Sequence, residues 1–159
     1  MTLLNTYIIE DNLKIIQSFE DFGIENPTLF SIVGNGKSLR DGLKDISLIK
    51  PNLIIISATK ENYKVFETLS NIDFLEAKFI FIGSNEKEAY QAFKCNAVDF
   101  VLKPINFDTF SESLSKVINK FTLDKFNWWW MRNGLANYSE HHVLKISEIN
   151  PDFPVSKVN

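Results

Sequence analysis

Three short apolar runs in this sequence end at polar or charged residues that could do chemistry. Glu10 and Asp11 end the first run, Ser57 ends the second and Lys103 ends the third. Paired carboxylates supply the oxygen ligands that Mg²⁺ prefers, and a lysine can form a charge-assisted hydrogen bond with an anion. If the three runs are neighbouring parallel strands, these side chains meet at one edge of a sheet, where such sheets bind their ligands.

Strand-like and helix-like segments alternate along most of the chain. The apolar runs are typical of strands that are buried on both faces. The expected strands are residues 7–9, 29–33, 53–56, 79–82 and 99–102. Amphipathic segments separate them, and Asn12, Ser38 and Asn106 are the expected caps of three helices. This alternation predicts an α/β fold, a doubly wound parallel sheet covered by helices on both faces.

Glycine and proline residues predict where several elements end. Gly23 is expected to stop the first helix, 34–36 (Gly-Asn-Gly) to end the second strand, and Pro51 to follow the second helix. Gly83 and Ser84 follow the fourth strand, so they join the candidates for a site at the carboxyl edge of the sheet.

Over residues 4–120, the sequence resembles the receiver domain of bacterial response regulators. Three phrases carry the resemblance, namely Ile8-Ile9-Glu10-Asp11, Lys50-Pro51-Asn52-Leu53 and residues 97–105 (AVDFVLKPI). The last phrase follows Ala92-Phe93 and is most similar to receivers of LytTR-type regulators. The resemblance implies a flavodoxin-like (βα)5 sheet with strand order 2-1-3-4-5 and a role in two-component, or phosphorelay, signal transduction.

Four residues match the positions that carry the chemistry of receivers. The resemblance assigns Glu10 and Asp11 to the acidic pair that helps to bind Mg²⁺, and Lys103 to the lysine that pairs with the phosphoryl group. It assigns Phe100 to the switch aromatic of the fifth strand. Two structural alternatives stay open, since carboxylates also stabilise the start of a helix and Phe100 could serve only in core packing.

Two positions depart from the receiver pattern. Ser57 replaces the aspartate that accepts the phosphoryl group, and Gly83 replaces the threonine or serine of the fourth strand. A serine without an adjacent base is a poor nucleophile, and Ser57 lacks the Gly-x-Ser-x-Gly context of hydrolases. Ser84 is expected to point away from the site, because side chains alternate along a strand. We therefore expect a pseudo-receiver that is not an enzyme, with no cofactor and at most a weak Mg²⁺ site.

The remaining charges predict how such a site would be held. With the aspartate absent, Lys103 is expected to form an internal ion pair with Asp11 or Glu10. Opposite unit charges about 4 Å apart attract by about 4 kcal/mol at an effective dielectric constant near 20, before desolvation is subtracted. The hypothesis is that this pair fixes the pocket in one state.

The chain continues beyond the receiver-like part (1–120) into an extension (121–159). No glycine or proline occurs between Asn106 and Gly134, which predicts a long fifth helix followed by a tail. This helix would carry Trp128, Trp129 and Trp130, and so much aromatic surface favours a protein partner or a homodimer. The alternative is that residues 135–159 fold back and cover it.

Composition narrows the remaining classes of function. The 159 residues carry a formal charge of -3, which gives no general attraction for nucleic acid. The one cysteine, Cys95, excludes an internal disulfide framework, and no apolar stretch is long enough to span a bilayer. The sequence therefore predicts a cytoplasmic protein without a nucleic-acid or membrane partner.

The favoured interpretation is a receiver-like domain that regulates through protein contacts and does not need phosphorylation. Its expected contact surface comprises the fourth helix, the fifth strand, the fifth helix and the three tryptophans. The alternative is a receiver that is phosphorylated in an unorthodox way, or that binds a small ligand in the altered pocket.

Overall fold

The computed structural model describes residues 3–69 and 76–132, and their side chains as far as residue 127. In these residues, five parallel strands form a single sheet with five intervening or flanking helices. The elements are β1 (Leu4–Ile9), α1 (Leu13–Glu25), β2 (Phe30–Gly36), α2 (Leu39–Ile49), β3 (Leu53–Ser57), α3 (Lys60–Leu69), β4 (Lys78–Gly83), α4 (Lys87–Lys94), β5 (Asp99–Leu102) and α5 (Phe107–Arg132). The order is β2-β1-β3-β4-β5, which confirms the predicted flavodoxin-like sheet.

Two apolar layers cover the sheet because its strands are apolar on both faces. On one face, side chains such as Ile54, Ile56 and Phe81 pack against α2, α3 and α4. The other layer is a group of phenylalanines from α1, β2 and α5 whose rings contact one another: Phe19, Phe22, Phe30, Phe107 and Phe110. All five residues of β3 are buried, so the centre of the sheet places Ser57 at the end of a rigid strand.

The three predicted helix caps are confirmed. Asn12 accepts a hydrogen bond from the backbone of Lys14 at 3.0 Å, and Ser38 accepts one from Asp41 at 3.2 Å. Asn106 accepts two from the first turn of α5. Each side chain satisfies a backbone N–H group that has no partner within its helix.

Two predicted ends were wrong. Gly23 lies inside α1, which continues to Glu25, and a Cβ there would make only ordinary contacts with Phe30 at 3.5 Å. The second strand continues through Gly34 to Gly36, because the neighbouring Tyr7 ring packs where a Cβ of Gly34 would lie, 2.7 Å away. Gly34 and Gly36 permit close packing within the sheet and do not form a turn.

The fifth helix is long, as expected, and continues from Phe107 to Arg132. Of the helices that the structure describes, none is long and apolar enough to cross a membrane. The side chains of Trp128 to Trp130 and the whole of residues 133–159 lie outside the described residues. The functional division at residue 120 and the folding back of the tail stay predictions.

Candidate functional site

The structure brings the ends of β1, β3 and β5 together around one ammonium group. Lys103 Nζ donates a hydrogen bond to Glu10 Oε2 at 2.8 Å, and it lies 3.5 Å from Ser57 Oγ. Lys103 and Glu10 are separated by 93 positions in the sequence, so only the fold joins them. The expected internal ion pair therefore forms, and Glu10, not Asp11, is its acidic partner.

Backbone hydrogen bonds fix the two strand ends that carry this pair. The Glu10 N–H donates to the carbonyl of Gly36 at 3.0 Å, which attaches the end of β1 to β2. The Lys103 N–H donates to the carbonyl of Gly83 at 2.8 Å, which attaches the chain after β5 to β4. The Lys103-Pro104 peptide bond that follows is cis. Both charged side chains thus start from backbone held by the sheet.

The Glu10 carboxylate is buried, with an exposed fraction of 2%. Oε1 accepts hydrogen bonds from the backbone N–H groups of Asp11 and Asn12, both at 3.0 Å, while Oε2 accepts the bond from Lys103. Burial raises the pKa of Glu10, but the hydrogen bond from Lys103, the backbone hydrogen bonds and the lysine charge lower it further. The net result is a pKa below the ordinary value of 4.5, so the carboxylate stays ionised at neutral pH.

The available oxygen donors do not fit the magnesium site of a receiver. Both oxygens of Glu10 already accept hydrogen bonds, Asp11 is exposed, and Ser57 contributes a neutral hydroxyl where an anionic ligand is needed. Among the described residues, no three His, Cys, Asp or Glu side chains are grouped as they are in a metal site. The expectation that no cofactor binds stays a prediction.

At the other side of the edge, neighbouring side chains fill the space beside Gly83. A Cβ at this position would overlap Glu88 Oε2 and would lie 2.9 Å from both Ala58 Cβ and Phe100 Cζ. Phe100 is half-buried and packs against the core, in keeping with the packing role left open above. Ser84 lies after the end of β4 and is exposed.

Sequence reasoning missed two residues that organise this edge. Asn62 is buried, donates to the carbonyl of Ser57 at 2.8 Å and accepts from the N–H of Leu39 at 2.9 Å, so it joins β3 to α2. Glu88 was also missed, although it lies beside Gly83. Asn62 could have been found, because it is a polar residue among the apolar positions of a helix. The sequence pattern contains no comparable signal for Glu88.

Comparisons with known proteins point to one group of signalling proteins. No protein-family model matches the chain. It is 22% identical over 119 residues to an uncharacterised response regulatory protein of Vibrio cholerae, covering 74% of this chain and 50% of that protein. A second such protein, from Vibrio parahaemolyticus, is 28% identical over 125 residues, covering 76% and 51%. The chain thus spans about half the length of these curated relatives.

Solved structures agree on the fold. The response regulatory domain of MrkE from Klebsiella pneumoniae is similar with a TM-score of 0.63 at 21% identity, covering 76% of this chain and 99% of that one. A DNA-binding response regulator of the LuxR family from Staphylococcus aureus is similar with a TM-score of 0.61 at 22% identity, covering 72% and 98%. The chain therefore has the receiver fold and homologues among response regulatory proteins. The finer likeness to LytTR-type receivers stays a prediction.

Proposed function

We propose that this chain is a pseudo-receiver in two-component signalling, which regulates through protein contacts without accepting a phosphoryl group. One observation carries the proposal: the residue at the end of β3, where receivers have their nucleophilic aspartate, is Ser57, and the nearest cation already pairs with Glu10 at 2.8 Å. A neutral hydroxyl beside a paired ammonium group is not activated as a nucleophile, because an ammonium group only donates hydrogen bonds and cannot accept a proton.

The ion pair supports a fixed state of the site. In a receiver, the phosphoryl group would draw the lysine towards the end of β3, and this movement belongs to the signal. Here Lys103 already has a buried anionic partner, and Glu10 has a donor for each of its oxygens. The site therefore holds its charges in balance without an incoming anion.

The proposed output surface lies on α4 and β5. Tyr90 and Phe93 on α4 are 70% and 54% exposed, and Leu102 of β5 is 41% exposed. Aromatic side chains dominate the centres of protein interfaces, so this surface suits a protein partner or a second copy of the chain. Trp128, Trp129 and Trp130 are proposed to extend it. The net charge of -3 gives no support for a nucleic-acid partner.

The first test is chemical. The full chain is incubated with Mg²⁺ and acetyl phosphate or beryllofluoride, and its intact mass and amide NMR spectrum are recorded. We expect no adduct and no saturable shift, because Ser57 is not activated. A stable phosphoryl adduct or a Mg²⁺-dependent response of the wild type would overturn the proposal.

The Ser57→Asp variant is the matched positive control. It restores the missing carboxylate, so we expect it to bind Mg²⁺ and acquire the mass of a phosphoryl group. Its amide shifts should stay confined to the site, because Gly83 has no hydroxyl to bind the phosphoryl oxygen. Shifts that spread fully across α4 and β5 in this single variant would contradict the role assigned to Gly83.

The second test concerns the contact surface. Light scattering compares the full chain, a chain that ends after Lys120, and the double variant Tyr90→Ser/Phe93→Ser. Leu13→Ser is the matched control, because Leu13 is 78% exposed but lies on α1. We expect the first two changes to reduce association and the control to leave it unchanged. The same number of chains per particle in all four proteins would remove self-association from the proposal.

A ligand-binding function is the second candidate, and a groove beside the site favours it. The groove has a volume of about 230 Å³ and is lined by Lys14, Ile15, Ser18, Lys103, Pro104, Ile105 and Phe107. Apolar walls beside Lys14 suit a small carboxylic acid with an apolar body, whereas Lys103 is already paired with Glu10. Amide shifts of these residues on titration with such acids would favour this function.

A further inference from the structure

Glu88 lies where a receiver would carry a side chain on its fourth strand. A Cβ at Gly83 would overlap the Oε2 atom of Glu88, and it would be within 2.9 Å of Ala58 on one side and Phe100 on another. Side chains from the loop after β3, from α4 and from β5 therefore meet at this glycine. The space of the missing hydroxyl is occupied, and Glu88 is the charged occupant.

This placement does not favour the stability of the protein. Glu88 Oε2 is buried, and within the described residues it has no hydrogen-bond partner. A buried polar atom without a partner loses its hydration and gains nothing in return, and such atoms are uncommon in folded proteins. A methionine side chain has a similar length and no such cost. The buried carboxyl group therefore costs stability, and the property that this side chain contributes beside Gly83 is its volume.

A second contact holds the backbone of the same residue. The Tyr63 hydroxyl of α3 donates to the Glu88 carbonyl at 2.9 Å. Burial, with a contribution from the charge of Glu88, raises the pKa of Tyr63 to about 12, so this donor keeps its proton at physiological pH. The first turn of α4 is also capped by Asn85, whose Oδ1 accepts a hydrogen bond from the Lys87 N–H at 2.9 Å, whereas Glu86 makes no side-chain capping bond.

We propose that Glu88 is a positioning residue that replaces the missing hydroxyl side chain of β4 and holds α4 and Phe100 in one arrangement. Because α4 has only eight residues, a change at Glu88 moves the whole helix, including Tyr90 and Phe93. The inference deepens the proposed function, on which it rests, by naming how the contact surface on α4 is kept in one position. Adding a hydroxyl residue at position 83 would require both Glu88 and Phe100 to leave.

The test compares Gly83→Ala in the wild type and in a Glu88→Ala background, using amide NMR of the full chain. In the wild type, the added methyl group should displace Glu88 and shift the amide signals of 87–94. Without the carboxyl group, the methyl group meets only Ala58 and Phe100, neither of which belongs to α4, so we expect these shifts of α4 to fall to less than half. The Phe100 ring signals should shift in both backgrounds. Shifts of α4 of equal size in both backgrounds would overturn the proposal.

If Gly83→Ala does not fold, single variants at position 88 test the proposal. Amide exchange in α4 should become several-fold faster in Glu88→Ala, whereas Glu88→Met, which keeps the volume, should restore wild-type exchange and raise the urea midpoint. Glu86→Ala is the matched control, because Glu86 is exposed and two residues away. Unchanged exchange in Glu88→Ala would refute the role of Glu88. These readouts do not involve phosphoryl transfer, so they fail independently of the proposed function.

Discussion

The two halves of the carboxyl edge of the sheet have changed in different ways. The half formed by β1 and the chain after β5 keeps its charged residues, and Glu10 and Lys103 form a pair at 2.8 Å. The half formed by β3 and β4 has a serine and a glycine where a receiver has an aspartate and a hydroxyl residue. The first half therefore holds a pair of opposite charges, whereas neighbouring side chains fill the space in the second half.

In the proposed pseudo-receiver, this difference would explain how a site loses its chemistry and keeps its shape. A buried carboxylate and its lysine are costly to separate, because either one alone would be a charge without compensation. The aspartate of β3 and the hydroxyl residue of β4 in a receiver do not compensate each other's charge in this way. Neighbouring side chains can therefore fill the space of the hydroxyl residue when it is absent. The contact of Glu88 with Gly83 is an example of such filling.

The largest expected effect comes from breaking the retained pair. Lys103→Met leaves the Glu10 carboxylate 2% exposed with only its two backbone donors. We expect urea unfolding to show a loss of about 2–3 kcal/mol in the free energy of unfolding, somewhat less than for a fully buried pair.

The Lys116–Asp99 pair supplies the control for this measurement. Its nitrogen–oxygen distance is 2.9 Å, but the Lys116 side chain is 57% exposed. Lys116→Met should therefore cost less than about 1 kcal/mol. Equal losses in the two variants would contradict the view that burial makes the first pair important.

The next effect is the pH dependence that the same pair produces. The pKa of Glu10 is lower in the folded protein than its ordinary value of 4.5, although burial alone would raise it. The stabilisation is therefore complete above that value and is lost as the pH falls through the folded pKa. We expect the stability difference between wild type and Glu10→Gln, from urea unfolding, to decrease from about pH 6 to about pH 3.

Asp99 must be measured separately in this experiment. Burial raises its pKa, but hydrogen bonds from Lys116 and Ser113 lower it further, so the net pKa lies below 3.8. Protonation of Asp99 at low pH therefore also lowers the free energy of unfolding. Measuring Glu10→Gln in an Asp99→Asn background isolates Glu10, and a stability difference that does not change with pH would contradict a depressed pKa.

The smallest expected effect is on the half of the edge formed by β3 and β4. Tyr63→Phe removes one hydrogen bond, from the hydroxyl to the carbonyl of Glu88 at 2.9 Å, and should cost about 1 kcal/mol in thermal or urea unfolding. Tyr90→Phe is the control, because Tyr90 is 70% exposed and should show no change. A loss in the free energy of unfolding as large as that of Lys103→Met would mean that the half formed by β3 and β4 also depends on polar contacts.

Much of the fold follows from local pattern. Apolar runs flanked by helix caps predicted every strand and the parallel sheet, because burial on both faces and capping depend on residues close in sequence. The errors at Gly23 and at 34–36 have different causes. A Cβ at Gly23 would fit, so this glycine only lowers the preference for a helix, whereas the ring of Tyr7 that excludes a Cβ at Gly34 belongs to another strand.

The residues at the strand ends were predicted as one group, but Asn62, Glu88 and the contacts within the group were not. The strand ends identified Glu10, Ser57, Gly83 and Lys103 as one group, since parallel strands place their carboxyl ends together. The choice between Glu10 and Asp11 as partner of Lys103 could not be made. Adjacent carboxylates differ only in direction, and that direction is fixed by the end of β1 and by the N–H groups that Glu10 accepts.

The sequence by itself determined the order of the elements and placed Ser57 and Gly83 at the ends of β3 and β4, because these are properties of single positions and short segments. Only the tertiary structure decided that Lys103 pairs with Glu10 and that Glu88 fills the space beside Gly83. The physical reason is that ion pairing and close packing depend on distances between atoms from different elements. Ser57 therefore lies at a site in which Lys103 pairs with Glu10 on one side and Glu88 fills the space beside Gly83 on the other.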